Sequence, residues 1–144
     1  MSYYFEDLQV GMSAEFRKTI TETDVVLFAG LTGDYNPMHI DHEFSKGTRF
    51  GERIIHGMMT ASLLSSTIGM KLPGPGCIYM AQNLKFLKPV HIGDTVRAVA
   101  TIIEVFPEKQ RVKLLTECFV VVHEEPSEKV LEGDALVWVP KRPA

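Results

Sequence analysis

Cysteine is scarce: Cys77 and Cys118 are the only two in 144 residues, they stand far apart, and neither sits in a CxxC spacing. A disulfide framework and a paired-cysteine metal site therefore lack support, and the expectation is two reduced, buried thiols in a cytoplasmic protein. Basic runs are missing as well. With 15 Lys and Arg against 18 Asp and Glu, and no basic stretch interleaved with aromatics, no nucleic-acid partner is expected. No apolar stretch reaches membrane-spanning length, so no membrane association is expected. The opening residues, from Met1 to Asp7, lack the basic end and apolar run of a signal peptide. GxGxxG, P-loop and GxSxG strings are absent, which removes support for nucleotide binding and for serine hydrolysis. What remains is 45% hydrophobic and 23% charged, ordinary globular usage, read as a single domain over residues 1–144.

Local patterns supply the elements. Residues 14–20 read as a first strand. Thr21 or Thr23 then offers a helix cap, and Asp24, three residues after Thr21, approximates a capping box. Val25, Val26, Phe28, Ala29 and Leu31 follow at helical spacing, with Gly30 and Gly33 near the end. Asn36-Pro37 is a turn signal, so residues 34–39 are expected to be irregular. Residues 56–72 carry no charge before Lys71, which predicts a buried helix, stopped by Pro73-Gly74-Pro75-Gly76. Strands are predicted over 77–87, 95–106, 111–122 and 129–139, joined by short connections that favour antiparallel neighbours. One buried helix followed by four long strands predicts an α+β domain with a curved antiparallel sheet around a helix. A single sheet of this kind leaves an apolar surface for a second copy, hence a homodimer.

Asp34 and His39 are the sharpest candidates for chemistry. Five positions apart, they would point away from each other on a regular helix, but a bend at Asn36-Pro37 can bring them together. A carboxylate and an imidazole in one site make a general acid/base pair. On spacing alone, a plain turn built by Asp34 and Asn36 is the better reading. Gly57 opens the long helix, where unpaired N–H groups and the positive dipole end suit a developing oxyanion. Gly57, Ala61 and Ser65 recur every four residues, a small-residue stripe that suits either an acyl channel or close packing. His39 and His42 form an HxxH with no cysteine or carboxylate cluster to complete it, so no metal is expected. His91 and His123 read as surface residues. Arg49, Arg53, Lys85 and Lys88 are the cations available to a phosphate-bearing ligand, although they mark no phosphate site.

Taken together, Phe28 to His39 with its G-D-x-N-P-x-H string, Arg53 to Met59 with H-G-M at the helix start, Leu72 to Gly76 and Leu84 to Val90 resemble the MaoC-like (hydratase 2) family. The resemblance spans nearly the whole chain and extends closely to short bacterial (R)-specific enoyl-CoA hydratases. It implies a hot-dog fold, with the helix after His56 wrapped by antiparallel strands, and a homodimer whose two sheets join edge to edge. It implies an acyl-CoA thioester as substrate, no cofactor, and Asp34 and His39 as the catalytic residues. Gly57 matches the family's oxyanion-binding amide, Ser65 falls where short members carry a serine near the pair, and Asn36 joins them as a substrate-binding candidate. Which of Asp34 and His39 is base and which is acid stays open. The alternatives are a hot-dog acyl-CoA thioesterase and a non-catalytic subunit that binds acyl thioesters.

Overall fold

A computed structural model describes residues 2–144, with four α-helices, six β-strands and two short 3-10 helices among them. Strand β1 (Ser13–Thr19) leads into helix α1 (Glu22–Thr32), whose start is the capping box foreseen at Thr21. The Asp24 amide donates to Thr21 Oγ1 at 3.2 Å and the Thr21 amide to Asp24 Oδ2 at 2.9 Å, so two otherwise unpaired donors are satisfied reciprocally. Gly33 ends α1 in a left-handed conformation, φ 79°, where a side chain would be strained.

Residues 34–39 are not irregular throughout. Two short helices follow the bend, α2 (Pro37–Ile40) and α3 (His42–Lys46). The reason is local: Asn36 Oδ1 accepts from the Met38 amide at 3.2 Å, and Pro37 stands at the first helical position, where its missing N–H costs nothing. The signal that reads as a turn is also a helix start.

Helix α4 (Gly57–Met70) packs against the sheet formed by β2 (Ile78–Gln82), β3 (Lys85–Phe86), β4 (Thr95–Phe106), β5 (Arg111–Val121) and β6 (Glu128–Trp138) together with β1. The order is β1-β4-β5-β6-β2, with β3 also on β6, and every pairing is antiparallel. This is the hot-dog arrangement, α+β. Helix α4 is buried on one side only. Met59, Thr60, Leu63, Leu64, Thr67 and Ile68 face the sheet, while Met58, Ser62, Ser65 and Met70 lie exposed. Composition alone overstated its burial, because serines and methionines without charge still form an outward face.

The strand expected over 77–87 is two strands. Asn83 breaks it by bonding sideways: its Nδ2 donates to Asp134 Oδ1 at 2.8 Å and its Oδ1 accepts from the Asp134 amide at 3.1 Å. The Asn83 carbonyl comes so close to Gly133 that a Cβ there would sit 2.0 Å from its oxygen, so glycine is required. No helix among the described residues is long and apolar enough to cross a membrane.

Candidate active site

The fold brings the bend after α1 over the start of α4. Asp34 is exposed and His39 is buried, at 7% exposure, yet a carboxylate oxygen of the first and a ring nitrogen of the second lie within 4.8 Å. The bend is held by its own side chains. The Asp34 amide donates to Thr32 Oγ1 at 3.1 Å and the Asn36 amide donates to Asp34 Oδ1 at 3.1 Å. The oxygen of the Asn36 side chain is engaged in capping α2.

His39 is fixed more tightly. Its Nδ1 lies 2.7 Å from the Ile54 carbonyl oxygen, which can only accept, so Nδ1 carries the proton and Nε2 keeps the lone pair. Arg53 Nε donates to the His39 carbonyl at 2.7 Å, while its guanidinium pairs with Glu22 at 2.9 Å. Arg53 is thus spent on clamping α2 to α1 and is not the free cation that sequence suggested. Burial is the main influence holding the His39 pKa below its ordinary 6.5; the bond to Ile54 and the Asp34 charge act in the opposite direction. A neutral imidazole with a free nitrogen is what a general base requires.

Sequence reasoning assigned no role to His56. It is 2% exposed, stacks on His39 with centroids 3.9 Å apart and planes at 29°, and places Nε2 2.9 Å from the Asp34 carbonyl oxygen. Adjacency to Gly57 is the one signal in the chain that points to it. Asp34, His39 and His56 together offer ligand atoms within 4.8 Å of one another. The stack works against a shared ion, which must lie near the plane of each ring at roughly 2.0–2.1 Å from nitrogen. Two rings so nearly parallel have planes that meet well beyond that distance.

Gly57 begins α4. The first amides with a carbonyl partner in that turn are Met59 and Thr60, both donating to the His56 carbonyl, so the Gly57 N–H has no acceptor within the helix. The Phe86 ring lies against Gly57 so closely that a Cβ would meet it at 2.8 Å. Gly57 and His39 line one cavity of about 410 Å³, together with Ile54, Met58, Phe86 and Val130. Arg49 and Lys88 belong to the same lining; Lys88 pairs with Glu128 at 2.7 Å and Arg49 stacks over Phe50. A second, more apolar cleft of about 420 Å³ runs between α1 and α4 past Phe28, Leu31 and Met59. Ser65 lies on the exposed side of α4 and lines neither cavity. Of the remaining histidines, His91 contacts Glu52 and Asp94, and His123 is solvent-exposed.

Comparison with known proteins adds three kinds of likeness. A MaoC like domain matches residues 7–122. An (R)-specific enoyl-CoA hydratase of Rhodospirillum rubrum is 47% identical over 97% of this chain and 94% of its own length. A 3-hydroxybutyryl-CoA dehydratase of Methylorubrum extorquens is likewise 47% identical, over 96% of this chain and 85% of its own. Among solved structures, an unliganded R-hydratase from Pseudomonas aeruginosa superposes with a TM-score of 0.90 at 38% identity, over 98% of this chain and 88% of that one.

Proposed function

The chain belongs to the MaoC-like family, and from that membership we propose that it hydrates trans-2-enoyl-CoA to (3R)-hydroxyacyl-CoA, and runs the reverse dehydration, as a hydro-lyase. The observation that carries the reading is the Asp34–His39 separation, within 4.8 Å, beside a cavity that contains the Gly57 amide. Two hydrogen bonds of about 2.8 Å meeting at one water span about 4.6 Å, so the two side chains suit a single shared water.

The chemistry follows from their states. The enoyl thioester is electrophilic at its β-carbon. A water held by the Asp34 carboxylate and His39 Nε2 attacks that carbon and gives a proton to Nε2. Negative charge moves to the thioester oxygen, where the Gly57 N–H stabilises the enolate; one such donor is worth about 2.7–4 kcal/mol in enzymes where it has been removed. The imidazolium then returns its proton to the α-carbon, and Asp34 offsets its charge meanwhile. Oxygen and proton come from one side, which gives syn addition; the (R) outcome follows the names of the relatives. No cofactor takes part. Arg49 and Lys88 in the cavity lining suit the phosphates of coenzyme A. Asn36 acts as the cap that sets the bend, and Ser65, on the exposed side of α4 and outside both cavities, is given no step in this reaction.

The active form we propose is a cytoplasmic homodimer of single-domain chains. Strand β2 has a free edge, and Ile78, Tyr79, Met80, Phe86 and Leu87 are exposed along that side, an apolar band suited to a second copy. Both thiols are free, as a reducing compartment would keep them.

A panel of trans-2-enoyl-CoA esters of several chain lengths tests the activity. The expected result is loss of conjugated enoyl absorbance with no free thiol, and a product oxidised only by a (3R)-specific dehydrogenase. Thiol release without loss of the double bond across the panel would indicate a thioesterase instead.

A further inference from the structure

We propose that His56 is a positioning residue: its Nε2–H bond to the Asp34 carbonyl sets the separation at which the pair shares one water. The inference rests on the hydratase reading for its chemistry and on His56 itself for its geometry. Every other hydrogen bond of Asp34 among the described residues is local, to Thr32 and Asn36; the bond from His56 is the one that ties Asp34 itself to the core. The acceptor is a carbonyl, so Nε2 bears the proton and Nδ1 is left as a lone pair.

That lone pair is buried and has no partner. Stability does not explain such a group, since an unpartnered buried acceptor is destabilising. Helix capping does not explain it either: His56 stands at the N-cap of α4, but its side chain makes no capping bond. Packing against Phe28, with centroids 4.9 Å apart, and against His39 would be served as well by a carbon ring. What a carbon ring cannot do is donate to Asp34. His39 is already anchored through Ile54 and Arg53, so His56 registers the exposed member of the pair against the buried one.

The test compares two substitutions in the full-length protein. His56→Phe keeps a ring on His39 and removes the bond; His56→Gln places an amide N–H near the position of Nε2 and removes the stack. With His56→Phe, kcat is expected to fall about 100-fold, the scale of an ångström of misplacement, with KM little changed and thermal stability held or raised. His56→Gln is expected to recover most of that loss. Amide hydrogen exchange gives a reading independent of turnover: Asn36 and His39, whose amides are bonded within the bend, are expected to exchange faster in His56→Phe than in wild type. If the larger ring prevents folding, His56→Leu takes its place. Wild-type kcat and exchange in the apolar variant, or equal losses in apolar and glutamine variants, would overturn the proposal. If wild type turns over no enoyl thioester, the hydratase reading fails on its own, and exchange in the bend still decides whether His56 holds Asp34.

Discussion

At its C-terminal end, α4 sets Ile68, with Leu72 just beyond, against Ala100, Ile102, Val112, Leu114 and Val137, all at or below 2% exposure. At its N-terminal end it covers His39, His56 and Thr60 along with Met59 and Leu64. The first region removes carbon from water and asks nothing more; each fully buried Leu or Ile there contributes about 1.5–3 kcal/mol. The second takes imidazoles out of water, leaves one nitrogen without a partner, and hangs an exposed carboxylate above them. The difference teaches that one helix can separate stability from chemistry along its length. The end that also buries imidazoles is the end with a free lone pair, a free amide and a cavity.

The comparison breaks if the polar end turns out to carry stability, or the apolar end catalysis. Asp34→Asn and His39→Gln are expected to lower kcat by about 100-fold to 10,000-fold each, the usual worth of a positioned acid or base, with little change in thermal midpoint. The double variant is expected to lose little more than either single one, because the two act on one water. Steady-state kinetics beside thermal melts checks this, and a double variant within a few-fold of wild type would end the assignment of the pair.

Ile68→Ala probes the other end. Its side chain is fully buried among β4, β5 and β6 residues, so truncation is expected to destabilise by about 2–5 kcal/mol. Turnover per folded molecule is expected to stay near wild type. Urea unfolding measures the first quantity and kinetics well below the melting transition the second. A kcat loss in Ile68→Ala comparable with that of His39→Gln would show that the two ends are coupled.

Sequence revealed the apolar end more fully than the polar one, for a physical reason. Period-2 and period-3.6 patterns, together with local capping at Thr21, are properties of neighbouring residues, and strands β4, β5 and β6 follow from them within a residue or two of the expected bounds. Asp34, His39 and Gly57 were legible through the G-D-x-N-P-x-H and H-G-M strings, because their types and spacing are unusual in combination. Burial of His39, its anchor on Ile54 fifteen residues away, and the reach of His56 back to Asp34 across twenty-two residues depend on tertiary contact and leave no periodic trace. The break at Asn83 was hidden similarly, since the glycine that permits it, Gly133, lies in another strand.

The finest test of the contrast is the protonation of His39. Its folded pKa lies below the ordinary 6.5, chiefly through burial. If neutral His39 is the base, the acid limb of kcat/KM is expected to have its midpoint below 6.5, because protonation removes the lone pair that receives the water proton. The stability sign runs in the same direction. The unfolded chain takes up this proton first as pH falls, so stability is full above the unfolded value, declines below about 6.5, and stops declining through this group once pH passes the folded value. Asp34 raises the His39 pKa, and Asp34→Asn is therefore expected to lower it further. Nuclear magnetic resonance titration of the His39 ring protons follows this without relying on residual activity. A His39 midpoint at or above 6.5 in wild type would mean that burial does not control its charge, and that the bond to Ile54 and the Asp34 carboxylate outweigh it at the polar end of α4.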